Sequence, residues 1–348
     1  MSSVALPHPE RIRSALASTS ALALLALLAA APACSGGASD TDTDGSATGT
    51  GSSTGSDTAA DTDGDAAILV GTFEVELIGP SDTAPGQTAV LGKIYDGPSL
   101  SQIIWEEAAV DGACHLVTPR VPFCSTPCGG SAACVEDETC KDYPVAHGAG
   151  EVTMKGLGLE GGGDEFSMNP LNNAYQPVGV KLLYPAFAEG DTITLDAAGD
   201  YFPAFSITAT GIAPFELTSG ALALEGGKAA NLTWTPGASP GAADIHVKLD
   251  ISHHGGTKGM IECDTDDSGS LEISAALVQQ LLDLGVAGFP TVIVSRSSVG
   301  STTIPPGRVD LVITSAVEAV VQVPGLTSCT ADADCPDGET CQVDLSCK

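Results

Sequence analysis

One acidic segment of the sequence combines the residue types and the spacing of a calcium-binding loop. Its first, third and fifth positions, Asp264, Asp266 and Ser268, carry side-chain oxygens, and Gly269 takes the sixth position. Oxygens in this pattern surround the cation in EF-hand-type loops. The twelfth position normally supplies a bidentate carboxylate, but here it is Ala275. We therefore predict at most a weak calcium site, against the alternative of a polar hairpin turn, which uses the same residue types.

The cysteines are the second group of residues that could form a chemical site, either as disulfides or as metal ligands. The chain has 11, of which ten follow Cys34, and an even set in an exported chain is typical of a disulfide framework. Zinc is the competing interpretation, but structural zinc sites usually contain Cys-x2-4-Cys pairs, and only Cys124 and Cys128 come near that spacing. We expect the last four cysteines to pair among themselves and Cys263 to pair with the first cluster, where Cys114 is one candidate. The predicted disulfide cysteines are Cys114, Cys124, Cys128, Cys134, Cys140, Cys263, Cys329, Cys335, Cys341 and Cys347.

Two of the cysteine clusters repeat one another. Residues 128–140 (CGGSAACVEDETC) and residues 329–341 (CTADADCPDGETC) share the same cysteine spacing and the same final three residues. Such internal similarity marks a repeated structural unit. The two segments resemble the small Dickkopf-like cysteine-rich repeats of bacterial surface lipoproteins. That resemblance implies an exported adhesion or interaction module rather than an enzyme.

Other motif matches point to no chemistry. His253 and His254 are adjacent, but neighbouring side chains of a strand point to opposite faces and do not chelate one ion together, so we expect a loop there. Residues 51–55 match the Gly-x-Ser-x-Gly pattern of hydrolases, which works only on a strand-to-helix turn. We therefore name no catalytic residue and no cofactor beyond the weak calcium site.

The amino-acid composition predicts which kinds of secondary structure carry these residues. The chain carries 44 Asp and Glu against 13 Lys and Arg, a net charge of -31, so it lacks the clustered cations that binding to nucleic acid or to an anionic lipid surface requires. Aromatic residues make up only 4 %, whereas Gly (41) and Pro (22) are abundant. This composition favours strands and turns over long helices.

Short runs rich in Val, Ile and Thr, separated by Gly, Pro and Asp, predict an all-β fold. We expect one or two β-sandwich (Ig-like) domains, small disulfide-rich modules and a disordered N-terminal tether. One helix is predicted over Ala275–Leu284, with Ser274 as its N-cap and Gly285 after its end. Predicted strands begin with the alternating Phe73, Val75 and Leu77 and continue at Thr88–Ile94, Val152–Met154, Val178–Tyr184, Thr192–Leu195, Ser206–Ala209, Asn231–Trp234, Ile245–Ile251, Thr291–Val294 and Val309–Thr314.

The N-terminus has the order of a secretory signal. Two arginines precede an apolar run from Ala15 to Ala31, which is followed by Pro, Ala and Cys34. This stretch resembles the lipobox of bacterial lipoprotein precursors, and the resemblance implies that Cys34 is the lipid attachment site and the mature N-terminus. Ser35, in place of the Asp that retains such proteins at the inner membrane, favours the outer membrane or cell surface. The alternative is an ordinary cleaved signal peptide with Cys34 nearby by chance.

Residues 35–66 contain only Ser, Gly, Ala, Thr and Asp, and such a segment cannot bury an apolar face, so we expect a disordered acidic tether. The layout as a whole resembles that of uncharacterised bacterial surface lipoproteins. The predicted organisation is a signal peptide (1–33), the lipidated N-terminus and tether (34–66), a first β segment (67–113), a cysteine-rich module (114–145), a β-sandwich body (146–325) and a C-terminal cysteine-rich module (326–348).

These features favour a lipid-anchored, non-catalytic binding or structural protein of the cell envelope or surface. Its expected partners are the membrane, through the lipid anchor, and a protein or glycan ligand, and nucleic acid is not expected. The competing hypotheses are a hydrolase whose site is assembled only in the fold and a calcium-stabilised adhesin. A deep pocket with two carboxylates, or with Ser, His and Asp, would favour the hydrolase.

Overall fold

The computed structural model describes residues 67–348, which are almost entirely strands, turns and loops, so the predicted all-β fold class is confirmed. The predicted signal peptide, Cys34 and the tether lie outside the described residues. No helix in residues 67–348 is long and apolar enough to cross a membrane. The elements are β1 (Leu69–Ile78), β2 (Gln87–Tyr95), β3 (Ile104–Asp111), β4 (Cys114–Arg120), β5 (Ala132–Glu136), β6 (Thr139–Asp142), β7 (Ala146–His147), β8 (Val152–Lys155), β9 (Glu165–Met168), β10 (Ala174–Tyr175), β11 (Thr192–Ala197), β12 (Phe205–Thr210), β13 (Leu222–Ala223), β14 (Ala230–Thr233), β15 (Asp244–Asp250), β16 (Met260–Asp266), β17 (Ser270–Ile273), α1 (Ala275–Asp283), β18 (Thr291–Ile304), β19 (Gly307–Gln322) and a short 3-10 helix (Asp332–Asp334).

An 11-stranded sheet organises the described residues. Its main strand order is β10-β2-β1-β19-β18-β15-β16-β4-β3, with β7 added to β2 and β13 to β19. Neighbours pair antiparallel, except that β1 and β13 run parallel to β19. The first strand of the described residues, β1, thus lies in the middle of the sheet beside β19. Segments 67–113 and 146–325, which the sequence predicted as separate, share this one sheet.

The first hydrophobic core lies between this sheet and a four-stranded sheet of order β12-β11-β8-β9. Alternation along β1 turns Phe73, Val75 and Leu77 inward, where each is fully buried, as the sequence pattern predicted. Gly92 lies directly across from Phe73 on β2, and the ring occupies the space that a side chain at Gly92 would need. Burial of each such side chain stabilises the fold by about 1.5–3 kcal/mol.

The second core lies under the other half of the large sheet, which is covered by the β14–β17 pair and by α1. The predicted helix is confirmed: the Ser274 hydroxyl accepts a hydrogen bond from the Leu277 backbone N–H at 3.3 Å, as an N-cap does. Leu277, Val278 and Leu281 form the buried face of α1. Gly285 follows the helix with a positive φ of 89°, a conformation that glycine adopts without strain.

All ten described cysteines are paired. The predicted bridge from Cys263 to the first cluster is confirmed with Cys114 as its partner, and both residues lie in strands of the large sheet, directly opposite each other. The boundary predicted before Cys114 therefore falls inside the β3–β4 hairpin. In both copies of the repeat the first cysteine is bridged to the third. The middle cysteine pairs with a cysteine before the repeat in the first copy and with one after it in the second. The bridges are Cys114–Cys263, Cys124–Cys134, Cys128–Cys140, Cys329–Cys341 and Cys335–Cys347.

Candidate functional site

The residues predicted to bind calcium lie at the turn between β16 and β17. Asp264 is still within β16, and its carboxylate accepts a hydrogen bond from His246 Nδ1 at 2.8 Å, which holds the pKa of Asp264 below its usual range. Asp266 ends the strand, and the Ser268 hydroxyl donates to the carbonyl of Ser270 at 3.1 Å. The turn does not form a hairpin, because β17 pairs with β14. Within residues 67–348 the groups of three or more potential metal ligands are the bridged cysteines of the two modules, so no carboxylate cage is gathered at this turn.

The residue of this turn with the most extensive contacts is Asp267, which the sequence interpretation passed over. Its side chain is only 7 % exposed and accepts four hydrogen bonds. One oxygen accepts from Trp234 Nε1 (2.7 Å) and from Arg296 Nη2 (3.2 Å), and the other from Arg296 Nε (2.8 Å) and the Gly237 backbone N–H (2.9 Å). Burial alone would raise the pKa of Asp267, but these hydrogen bonds outweigh it, so the pKa lies below its usual range.

Arg296 is the partner of Asp267, and its side chain is 2 % exposed. Besides Asp267, its guanidinium donates to three backbone carbonyls, those of Ala213 (3.2 Å), Pro214 (3.2 Å) and Thr235 (2.6 Å). All five of its N–H directions therefore have acceptors, as a buried cation requires. The sequence did carry a signal for this residue: in β18, Arg296 continues the inward-facing alternation of two buried valines, Val292 and Val294, so an isolated charge was due to enter the core.

This buried pair lies where the two hydrophobic cores meet. Ser315, directly across from Arg296 on β19, donates to the carbonyl of Leu77 at 3.1 Å and accepts from the Phe215 backbone N–H at 3.0 Å. Phe215 also packs against the Arg296 guanidinium, 5.3 Å from its ring centre. Asp267, Arg296 and Ser315 thus form a polar belt on the inner face of the large sheet. This belt separates the two cores at the place where the chain crosses from one to the other after β12.

The loop before β15 is fixed by the same belt. Asp267 binds the backbone N–H of Gly237, and the two carboxylate oxygens of Glu189 accept from the backbone N–H groups of Ala238 (3.1 Å) and Ser239 (2.8 Å). Backbone N–H groups that donate to carboxylates form strong, short hydrogen bonds. A loop of Gly, Ala, Ser and Pro, which would otherwise have many conformations, is therefore held in one.

Against this loop lies a cleft of about 380 Å³. It has a polar lining in which threonine and serine hydroxyls are the commonest side-chain groups and Asp244 is the sole ionisable residue. Thr208 and Thr210 alternate onto one side of β12, and Thr192 lies directly across from Thr210 on β11. The lining residues are Thr192, Thr208, Ala209, Thr210, Gly241, Ala242, Ala243, Asp244, Ser298 and Val299.

Ser298 and Thr210, which both line the cleft, connect it to the belt. The buried Ser298 hydroxyl donates to the carbonyl of Thr210, and Ser298 follows Arg296 on the same face of β18. Gly300 stands where the backbone of Thr208 passes so closely that a side chain would collide with it. The edge strand β12 is thereby seated on β18, which fixes the backbone that carries Thr208 and Thr210.

Hydrogen-bonding groups dominate this lining, whose ten residues include no His, Lys, Arg or Cys. It does offer several groups that both donate and accept hydrogen bonds, together with a single carboxylate.

The histidines of the described residues lie elsewhere. Four of them face a carboxylate, and His253 and His254 lie in the loop after β15 with ring centres 4.0 Å apart. His147 also stacks on Tyr201 at 3.7 Å. The His–carboxylate pairs are His115–Glu107 (2.7 Å), His147–Asp96 (3.4 Å), His246–Asp264 (2.8 Å) and His253–Asp250 (4.0 Å).

No known family matches this chain, and no curated protein matches it.

Proposed function

We propose that this protein is exported, anchored to the cell envelope by a lipid on Cys34, and binds a small polar ligand in the cleft without chemical conversion. The observation that carries the binding function is the construction of the cleft. Its lining offers hydroxyls and one carboxylate, and the hydrogen bond from Ser298 to the Thr210 carbonyl holds β12 against β18 within it. Its volume of about 380 Å³ falls within the range of roughly 300–1,000 Å³ that small-molecule sites occupy.

The pairing of the cysteines supports the exported location. Disulfides persist in oxidising compartments and are rare in the cytosol, and here all ten cysteines after Cys34 are bridged. The signal-like sequence before Cys34 supports the anchor. Such an anchor would hold firmly, because each acyl chain of a lipoprotein buries many CH₂ groups, at about 0.8 kcal/mol apiece. The acidic segment 35–66 would then separate the β body from the lipid surface.

Replacement of Cys34 tests the anchor. Expressed as the full chain in a bacterium that processes lipoproteins, the wild type should fractionate with membranes, and Cys34→Ala should be released or remain unprocessed. Ser35→Ala is the matched control and should stay with the membranes. Unchanged fractionation of Cys34→Ala would contradict the anchor. Mass spectrometry of the unreduced protein should find no free thiol among the other ten cysteines, and several free thiols would contradict export.

A measurement that does not require the ligand to be known in advance tests the cleft. Thermal unfolding of the detergent-solubilised full-length protein is followed with a mixed library of sugars, amino acids, nucleosides and organic acids. A ligand of the native state raises Tm with its concentration. Thr210→Trp, which places a large ring in the cleft, should abolish the rise. Thr303→Trp, at an exposed β18 position outside the cleft, should retain it. Equal responses of the two variants, or no response of the wild type to any compound, would contradict binding in the cleft.

A further inference from the structure

We infer that the cleft binds an uncharged saccharide through the hydroxyls of Thr192, Thr208 and Thr210 and the carboxylate of Asp244. This inference rests on the proposed binding function and specifies its ligand class. A threonine or serine hydroxyl can donate one hydrogen bond and accept others, and so can each hydroxyl of a sugar. A lining of such groups matches a polyhydroxylated ligand in both directions.

The charges of the cleft exclude other ligand classes. An anion such as a phosphate, or a sialylated or sulfated sugar, would meet no Lys or Arg among the lining residues and would be repelled by Asp244. The net charge of -31 would repel it further. A metal ion would find a single carboxylate, whereas hard cations need six or more oxygen ligands. A neutral sugar avoids both difficulties, and Asp244 can accept charge-assisted hydrogen bonds from its hydroxyls.

The shape of the cleft also suits this ligand. The volume of about 380 Å³ accommodates roughly one or two rings. Because the Ser298 hydrogen bond seats β12 on β18, the backbone that carries Thr208 and Thr210 is fixed before the ligand arrives, which reduces the entropy lost on binding.

The test is an array of neutral, sialylated and sulfated oligosaccharides, followed by calorimetry on the hits, all with full-length protein in detergent. We expect neutral glycans to bind and anionic ones not to bind. Thr208→Val and Thr210→Val each remove a hydroxyl at nearly constant shape and should weaken binding roughly 3- to 10-fold. Asp244→Asn removes a charge-assisted acceptor and should weaken it at least about 10-fold.

Two control variants separate contact from general effects. Thr303→Val is the same change at an exposed β18 position outside the cleft, and Asp266→Asn removes a charge directly across from Asp244 on β16. Both should bind like the wild type, and all five variants should unfold within a few degrees of it. Binding that survives in the three cleft variants, or glycan binding confined to anionic sugars, would overturn the saccharide assignment. If no sugar binds but another compound class raises Tm through the cleft, the saccharide assignment fails and the proposed binding function stands.

Discussion

Asp267→Asn most directly tests whether the buried pair of Asp267 and Arg296 stabilises the fold. Asparagine keeps the shape of the side chain but replaces one oxygen with an NH₂ group. Each oxygen of Asp267 accepts two hydrogen bonds, one of them from Arg296. In either orientation of the amide, its NH₂ group, itself a donor, therefore faces two N–H donors and cannot accept from them. Arg296 loses a partner and its countercharge in both cases. Removing one member of a buried ion pair costs about 3–5 kcal/mol.

Urea and thermal unfolding, followed by tryptophan fluorescence, measure this loss, since Trp234 is buried and donates to Asp267. A loss of this size should lower Tm by on the order of 10 °C. The matched control is Asp196→Asn, which breaks a 2.8 Å ion pair with Lys155 whose members are 39 % and 48 % exposed. An exposed pair contributes about 0–1 kcal/mol. A loss below 1 kcal/mol for Asp267→Asn, or equal losses for the two variants, would contradict a stabilising role for the buried Asp267–Arg296 pair.

The pKa of Asp267 gives the same experiment a second readout. Its value in the folded protein lies below the unfolded value of about 3.9, so the ionised carboxylate stabilises the fold. That contribution is present above the unfolded pKa and is lost as the pH falls through the lower folded pKa. The stability difference between wild type and Asp267→Asn should therefore be full near pH 7 and shrink below about pH 4. A difference that is independent of pH would show that charge plays no part.

Two further perturbations follow from the same structure. Burial, followed by the neighbouring charge of Glu76, raises the pKa of Glu74 to about 7; because this is above the unfolded value, stability should fall as the pH rises from about 4.3 through 7. Glu74→Gln should remove that fall in thermal unfolding at pH 5 and pH 8, and a variant with the same pH dependence as the wild type would contradict the assignment. The pair Cys114→Ala and Cys263→Ala opens a bridge between residues 149 apart and should destabilise the body by ~5 kcal/mol, whereas Cys335→Ala with Cys347→Ala opens a separation of 12 and should cost ~3 kcal/mol. Urea unfolding compares the two, and the reverse ranking would contradict the entropic account.

Local patterns predicted much of the fold because they depend on neighbours in sequence. The alternation of Phe73, Val75 and Leu77 and the cap at Ser274 both behave as local physics requires. The pattern failed at Val178–Tyr184, which was predicted as a strand but forms a loop with one isolated bridge, at Leu182. Its composition suits a strand, but no neighbouring strand supplies a full set of hydrogen-bond partners there.

The opposite error occurs in β18. The prediction ended that strand at Val294, where the apolar run ends, yet the strand continues to Ile304 through serines and threonines. Pairing with β19 along its whole length holds these polar residues extended. Strand length here is set by the partner strand, which the local composition does not reveal.

The candidate site was out of reach of local patterns for the same reason. The cleft draws its lining from β11, β12, the loop before β15 and β18, segments separated by many residues. Each is ordinary alone, since an exposed threonine in a strand carries no functional signal. The acidic turn attracted attention because its spacing matched a motif, but the one inward-facing carboxylate, Asp267, occupies a position that the motif ignores.

The parallel pairing of β1 with β19 sets the order in which the chain can assemble. The partner of the first described strand begins at Gly307, so the middle of the sheet cannot close until nearly the whole chain has been made. Four disulfides join cysteines 10 or 12 residues apart and can form early, whereas Cys114 must wait for Cys263. Such long-range closure slows folding and leaves strand edges open meanwhile. A chain crossing a membrane N-terminus first would thus emerge with its first module closed and its sheet unfinished, which is the stage at which chaperones and thiol oxidases would act on it.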